Sequence, residues 1–211
     1  MPGQVQTDPS PREERRRIRL ETTRSQVLDA AERTFAAYGF HNTTIKSIAA
    51  QCEIAVGTMY TLFDDKNSLF EAVLRRRGRA LRQLTEATAA EPGPCDVKLV
   101  ELADLQIRYF RAHPDWTTVA SMLRSDTRGD SPAVPDLYES GHKVVADIHA
   151  QVIARGQREG TVRRGDPLAL ALIFMGMLET FHGLDASRFP AEEFLDLVHS
   201  TFRLTERQEG H

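Results

Sequence analysis

Residues 43–70, TTIKSIAAQCEIAVGTMYTLFDDKNSLF, constrain the fold most, because they encode two short helices joined by a tight turn. Thr44 can cap the first helix, whose apolar residues recur at spacings of three and four and therefore predict one buried face. These apolar residues are Ile45, Ile48, Ala49 and Cys52. A helix this short is not stable alone, so the pattern predicts that it packs on a core.

The second helix is predicted over residues 55–62, with Met59 and Phe63 four residues apart on its buried side. Its outward residues are then small or carry hydroxyl groups: Val56, Thr58, Tyr60 and Thr61. Two short helices with a three- or four-residue turn and such an outward face are typical of the helix-turn-helix, which inserts its second helix into the major groove of DNA. An ordinary helical corner is the alternative interpretation.

Double-stranded DNA is the partner that this motif predicts. Val56 and Thr58 can contact base edges through methyl and hydroxyl groups, whereas Tyr60 is long enough to reach a phosphate. Lys66 lies near the N-terminus of the following helix, where backbone N–H groups and the helix dipole favour an anion. The candidate DNA-binding residues are Thr44, Lys46, Val56, Gly57, Thr58, Tyr60, Thr61 and Lys66.

Residues 54–60, IAVGTMY, resemble the recognition helix of the tetracycline-repressor (TetR) family of bacterial transcriptional regulators. Further positions that fit the family pattern are Thr43, Thr44, Ile48, Ala49, Phe63, Lys66, Leu69 and the first-helix segments 27–31 and 35–40. The resemblance covers residues 24–74 and leaves the C-terminal part without a shared motif.

The resemblance implies an all-α protein with an N-terminal three-helix helix-turn-helix domain and a larger C-terminal helical domain. The expected bounds are 1–20 for a flexible basic arm, 21–67 for the DNA-binding domain and 68–211 for an effector-binding and dimerisation domain. It also implies release from the operator by a small-molecule effector, and no cofactor is expected. The apolar surplus of the predicted helices 168–182 and 191–204 predicts a homodimer held by a four-helix bundle, which would bind a palindromic operator.

Two positions depart from the family pattern. Glu53 stands where the family usually has Gly, and a non-Gly residue in a left-handed turn costs about 1 kcal/mol. Ala55 stands where a Ser often caps the recognition helix, which also costs about 1 kcal/mol. Both departures concern the geometry of the turn rather than a DNA contact.

The composition is that of a globular protein, with 211 residues and 41% hydrophobic content, enough for a small domain and a larger one. No run of 18 apolar residues exists, and the N-terminal residues lack the apolar segment of a signal peptide, so a cytoplasmic protein without membrane association is expected. Cys52 and Cys95 lack metal-site spacing and are expected to be free thiols, Cys52 as a small core residue.

Charge is distributed unevenly along the chain. Residues 1–90 carry 14 Lys and Arg against 11 Asp and Glu, whereas residues 91–211 carry 13 against 19. The basic excess precedes the first helix, at Arg12, Arg15, Arg16, Arg17 and Arg19. This cluster favours contact with DNA, although a solvated tail has the same composition.

The first helix is predicted over residues 22–38, with Gly39 ending it in a left-handed conformation and Phe40 folding back onto it. Its apolar stripe comprises Val27, Leu28, Ala31, Phe35 and Tyr38. Asp64 or Asp65 caps a long fourth helix that ends before the Pro-Gly-Pro at 92–94. Further helices are predicted from residue 96 and over 116–125, 136–158, 168–182 and 191–204, with no strand.

Aromatic and Met side chains are frequent in the C-terminal helices, where they either fill the core or line an apolar effector cavity. The candidate effector-binding residues are Phe110, Trp116, Met122, Phe174, Met175, Met177 and Phe181. His142 and His149 lie two turns apart on one helix, near Asp136 and Asp147. Such a pair is compatible with a metal site but is more typical of polar surface residues, so no metal is assigned.

Three functions are compatible with these patterns. The first is a dimeric DNA-binding regulator, namely a repressor released by a small apolar or amphipathic effector. The second is a helical enzyme with an active site in the C-terminal domain, which the absence of phosphate-loop, HExxH and GxSxG motifs disfavours. The third is a DNA-binding regulator without an effector.

Overall fold

The structure, a computed structural model, describes residues 10–125, 135–184 and 189–205. Within these ranges the chain is all-α, as predicted. The helices are α1 Pro11–Asn42, α2 Ile45–Gln51, α3 Val56–Leu62, α4 Lys66–Ala90, α5 Cys95–Ala112, α6 Pro114–Ser125, α7 Pro135–Glu159, α8 Pro167–His182 and α9 Ala191–Phe202. No described helix combines the length and the apolarity that crossing a membrane requires.

The chain divides into two compact units, unit 1 (Met1–Leu74) and unit 2 (Arg75–His211). The division falls inside α4, later in the chain than the boundary expected after residue 67. Helix α4 therefore contributes its first two turns to the core of unit 1 and the remainder to unit 2. Its start is set by Asp65, whose Oδ1 accepts from the Ser68 backbone N–H at 2.7 Å.

An aromatic cluster closes the core of unit 1. Gly39 has φ 76°, the left-handed value predicted for it, and this breaks the helical path within α1. Phe40 consequently turns back onto the unit, with its ring centroid 5.9 Å from that of Phe35 and 5.1 Å from that of Phe70. Tyr38, expected in the apolar stripe of this helix, is instead exposed to solvent.

Helix α1 begins eleven residues earlier than predicted, at Pro11 rather than at residue 22. Ser10 and Glu13 form a capping box, in which each side chain accepts from the other residue's backbone N–H. Residues 11–20, assigned from the sequence to a flexible arm, are therefore helical. Residues 1–9 of that arm lie outside the described residues.

Unit 2 packs α5, α7, α8 and α9 around one core. Its fully buried large side chains are Leu99, Leu102, Ile107, Ile153, Phe174, Leu178 and Phe202. Asp166 caps α8 by accepting from the Ala169 N–H at 2.7 Å, as its position before Pro167 predicts. An isolated β-bridge between Val162 and Arg203 ties the end of α9 to the segment before α8.

Gly156 lies at a tightly packed position in this core. A Cβ atom placed there would lie 2.3 Å from Val162 Cγ2 and 2.6 Å from Cys95 Cβ. Both neighbours are buried, and Cys95 begins α5, so neither can withdraw without moving backbone. The absence of a side chain at residue 156 lets α7 approach its neighbours closely.

We expect Gly156→Ala to lower the free energy of unfolding by about 1–3 kcal/mol through overpacking. Gly141 provides the matched control, because it lies in the same helix and a Cβ there would meet no atom of the described residues within 4 Å. Gly141→Ala should stabilise the protein by up to about 1 kcal/mol through helix propensity. Urea denaturation followed by circular dichroism measures both, and equal effects would contradict the packing assigned to Gly156.

Candidate DNA interface and effector region

The turn between α2 and α3 carries both of the departures noted from the sequence. Glu53 has φ 54°, so a non-Gly side chain occupies the left-handed region there. Ala55 is the N-cap residue of α3 and supplies no side-chain hydrogen bond. Cys52, expected in the core, is only half-buried at the end of α2. Local sequence therefore stabilises this turn poorly, and tertiary contacts must hold α3 in place.

Helix α3 presents a narrow outward face. Met59 is fully buried, whereas Val56 and Tyr60, four residues apart, are 38% and 56% exposed. Gly57 and Thr61 are also exposed, and the Thr61 hydroxyl donates to the Gly57 carbonyl at 3.0 Å. Thr58, predicted to point outward, is half-buried. The most exposed residues of α3 are therefore Val56, Gly57, Tyr60 and Thr61, and the DNA contacts predicted for them and for Thr58 stay predictions.

Arg24 of α1 holds the C-terminal end of α3. Its Nη1 donates to the Leu62 carbonyl at 2.8 Å, and its guanidinium lies 4.3 Å from the centre of the Phe63 ring. The last carbonyls of a helix have no intrahelical partner, and the helix dipole favours a cation at that end. Sequence reasoning did not identify this contact, because the two residues lie 38 positions apart.

The start of α2 follows the sequence prediction. Thr44 caps this helix: its Oγ1 accepts from the Ser47 N–H at 3.0 Å, and Ser47 Oγ accepts from the Thr44 N–H at 3.2 Å. Thr44 and Lys46 are both exposed. They are accessible for the DNA contacts predicted from the sequence, and those contacts remain predictions.

Lys66 makes contacts within unit 1 that the sequence did not predict. Its Nζ donates to the carbonyl oxygens of Phe40 at 2.9 Å and of Thr43 at 3.0 Å, and it lies 4.2 Å from the centre of the Phe40 ring. These carbonyls follow the break at Gly39. Two of the three ammonium donors therefore serve the fold, which leaves one N–H for the predicted phosphate contact.

The predicted effector-binding residues are divided between two clusters in unit 2. Phe174, Met175 and Phe181 are buried in the main core, and Met177 packs at its edge. Phe110 and Trp116 belong to a second cluster with Leu81 and Tyr109. Met122 is half-buried in α6.

A polar pair lies inside the main core of unit 2. His149, expected at the surface, is fully buried; its ring lies 4.8 Å from that of Phe174, and its Nε2 lies 3.2 Å from Gln106 Nε2. The amide N–H donates in this orientation, so Nε2 accepts and Nδ1 carries the ring proton. Burial, followed by repulsion from His142, lowers the pKa of His149 to about 3, so the imidazole is neutral at neutral pH.

A row of rings continues from this pair along α5. Phe110 lies one helical turn beyond Gln106, about 6 Å along the axis. Its ring is 4.2 Å from that of His182 and 5.3 Å from that of Trp116. Trp116 Nε1 and His149 Nδ1 are both buried without a hydrogen-bond partner among the described residues. The row thus combines apolar surface with two unsatisfied N–H donors.

Comparison with known proteins agrees with this architecture. The family model described as bacterial regulatory proteins, tetR family, matches residues 27–73. This range runs from the buried part of α1 through α2 and α3 to the first turns of α4. The HTH-type transcriptional regulator UidR of Escherichia coli is 25% identical over 146 residues, which span 66% of this chain and 69% of UidR.

Solved structures that share the fold include complexes of SmeT and of AibR. The complex of triclosan with SmeT, a repressor from Stenotrophomonas maltophilia, superposes with a TM-score of 0.70 at 21% identity, covering 88% of this chain and 93% of SmeT. AibR, in complex with isovaleryl coenzyme A and operator DNA, superposes with a TM-score of 0.68 at 17% identity, covering 85% of this chain and 98% of AibR.

The match of residues 27–73 to the tetR-family model and the similarity to UidR identify a helix-turn-helix transcriptional regulator. The chain belongs to the TetR family. This family consists of regulators and not of enzymes, so the enzyme alternative considered from the sequence is wrong.

We expect Lys66→Met to lower the free energy of unfolding by about 2 kcal/mol, because the Phe40 and Thr43 carbonyls lose a charged donor. Lys46→Met is the matched control: Lys46 is exposed, and its removal should change stability by less than about 0.5 kcal/mol. Guanidinium denaturation of both variants measures the difference. Unchanged stability in Lys66→Met, with weaker DNA binding, would instead assign Lys66 to a phosphate contact alone.

Proposed function

We propose that the protein is a repressor that binds a palindromic operator as a homodimer and is released by a small apolar or amphipathic effector bound in unit 2. One helix-turn-helix contacts few base pairs, and two copies related by a two-fold axis read two half-sites. The exposed groups of α3 face the groove, with Val56, Gly57 and Thr61 at base edges and Tyr60 able to reach the backbone.

An apolar face on α8 that no described residue covers supports the homodimer more than any other observation. Leu168, Leu172 and Ile173 are 45–52% exposed along this helix, and Leu197 of α9 is 46% exposed. Gly176 and Thr180 continue the α8 face with small side chains that let a second helix approach. A two-fold axis would pair α8 and α9 with their copies as a four-helix bundle.

We expect the wild-type protein to sediment at about twice 23.7 kDa at micromolar concentration. Leu172→Glu should shift this equilibrium to the monomer and weaken operator binding, because it buries a charge in the interface. Leu84→Glu is the control, since Leu84 is a leucine of similar exposure, 44%, on α4. Monomeric wild-type protein, or equal dimerisation of both variants, would contradict the proposed interface.

The row of rings in unit 2 supports the proposal that an effector binds there. The rings of Phe110, His182 and Phe174 offer apolar surface. Trp116 Nε1 and His149 Nδ1 are buried donors. An unsatisfied buried donor costs about 1–3 kcal/mol, which an acceptor atom of a ligand would recover. The effector class is therefore an apolar molecule with a carbonyl, ether or similar acceptor. The complexes of SmeT with triclosan and of AibR with isovaleryl coenzyme A, two proteins of the same fold, support this proposal.

Helix α4 is the proposed connection between effector and DNA. It is one continuous helix, with Phe70 and Val73 in the core of unit 1 and Leu81 in the second cluster of unit 2. An effector that prefers one position of α4 would change operator affinity. A coupling free energy of about 1–3 kcal/mol corresponds to a 5- to 150-fold change.

A thermal-unfolding screen of small apolar acceptors should yield a ligand that raises the melting temperature. Its binding should alter the emission of Trp116, the single tryptophan. Operator DNA, selected from random duplexes, should lower the affinity of the protein for that ligand. The factor should equal the one by which the ligand lowers operator affinity. His149→Phe, which keeps a ring but removes the donor, should reduce ligand affinity about tenfold. Equal ligand affinities with and without operator would contradict release by this ligand.

A further inference from the structure

Residues 11–21, the first turns of α1 and here called the extension, carry most of their positive charges on one side of the helix and their negative charges on the other. Four arginines recur at spacings of three and four on one side of this helix: Arg12, Arg15, Arg16 and Arg19, here called the basic ridge. Glu13, Glu14, Arg17 and Glu21 recur in the same way on the opposite side. A solvated helix without a partner gains nothing from sorting its charges in this way, because mixed pairs at i, i+4 are stabilising.

The fifth arginine of the extension is paired, in contrast to the ridge. Arg17 Nη2 lies 2.7 Å from Glu14 Oε1, and Arg17 Nη1 lies 3.6 Å from Glu21 Oε1. The Glu14 carboxylate raises the pKa of Arg17, and Arg17 lowers that of Glu14. Among the described residues no ion pair involves a ridge arginine, and all four ridge side chains are exposed. The ridge is therefore an uncompensated row of four positive charges.

The ridge is fixed to the DNA-binding unit. Helix α1 runs without a break from Pro11 to Gly39, and its later turns carry the buried residues Val27, Leu28 and Phe35. The same helix supplies Arg24, which holds the end of α3. From Arg12 to Arg19 the ridge spans about 10 Å, over which one strand of B-DNA presents about three phosphates along its axis.

We propose that the basic ridge binds DNA phosphates as a rigid, sequence-independent contact surface on the side of α1 away from Arg24 and the core of unit 1. This inference rests on the DNA binding of the protein and adds a second contact surface to it. Phosphate is the anion that matches guanidinium geometry best, through paired N–H donors. An anionic membrane fits less well, because Ile18 and Leu20, the exposed apolar residues of the extension, are two positions apart and do not form one face.

Full-length protein carrying Arg12→Gln, Arg15→Gln, Arg16→Gln and Arg19→Gln together tests the proposal. Gln retains helix propensity, so the extension keeps its fold. The control has the same change in charge on exposed residues of unit 2: Arg108→Gln, Lys143→Gln, Arg158→Gln and Arg203→Gln. Arg17→Gln is the control within the extension. The probe is a fluorescent mixed-sequence duplex of about 30 base pairs, titrated by anisotropy at several sodium chloride concentrations.

The ridge variant should lower the slope of log K against log salt by about 0.9 per lost phosphate contact, about two to four units per ridge. Its affinity should fall by the same factor on operator and mixed-sequence DNA, while both controls keep the wild-type slope. Equal slopes in the ridge variant and the unit 2 control overturn the proposal, although operator binding itself would stand. Wild-type protein without affinity for any duplex overturns both. Loss of binding to phosphatidylserine vesicles with unchanged DNA binding assigns the ridge to membranes and also overturns the proposal.

Discussion

The two central helices of the DNA-binding unit have seven residues each, which is too few to be stable in water without tertiary contacts. The rest of unit 1 supplies the tertiary contacts that stabilise these two helices. Helix α1 supplies five buried apolar side chains to the core, and two cations donate to backbone carbonyls of the unit. Arg24 does this at the end of α3 and Lys66 at the break after Gly39. The position of the groove-facing residues thus depends on contacts made far from the groove.

The turn before α3 also depends on distant contacts, because its own residues are unfavourable. Glu53 adopts a conformation that favours Gly, and Ala55 does not cap the helix that follows. Together these features cost about 2 kcal/mol relative to a Gly and Ser in the same turn. A long-range tether such as Arg24 offsets part of that cost, because it stabilises the far end of the same short helix.

Unit 2 contains unfavourable polar groups in its interior. A fully buried imidazole with a pKa of about 3 is unfavourable in a core of mainly aliphatic and Phe side chains. The Trp116 indole N–H of the second cluster, buried without a partner among the described residues, is unfavourable for the same reason. Departures of this kind are commonest where a protein binds something. The surface of the unit makes a comparable departure at α8, where Leu172 and Ile173 lie half exposed.

The sequence by itself determined the all-α class, the family, the helix-turn-helix and most helix positions in unit 2, because these follow from apolar periodicity, caps and Pro or Gly stops that act within a few residues. Asp166 and Gly39 have the roles that their local patterns predicted. Tertiary structure decided which side chains were available. Tyr38 is exposed, His149 is buried and Lys66 is engaged, because each outcome depends on elements distant in sequence. The helical start at Pro11 was missed for another reason: exposed charged helices lack the apolar period on which the prediction relied.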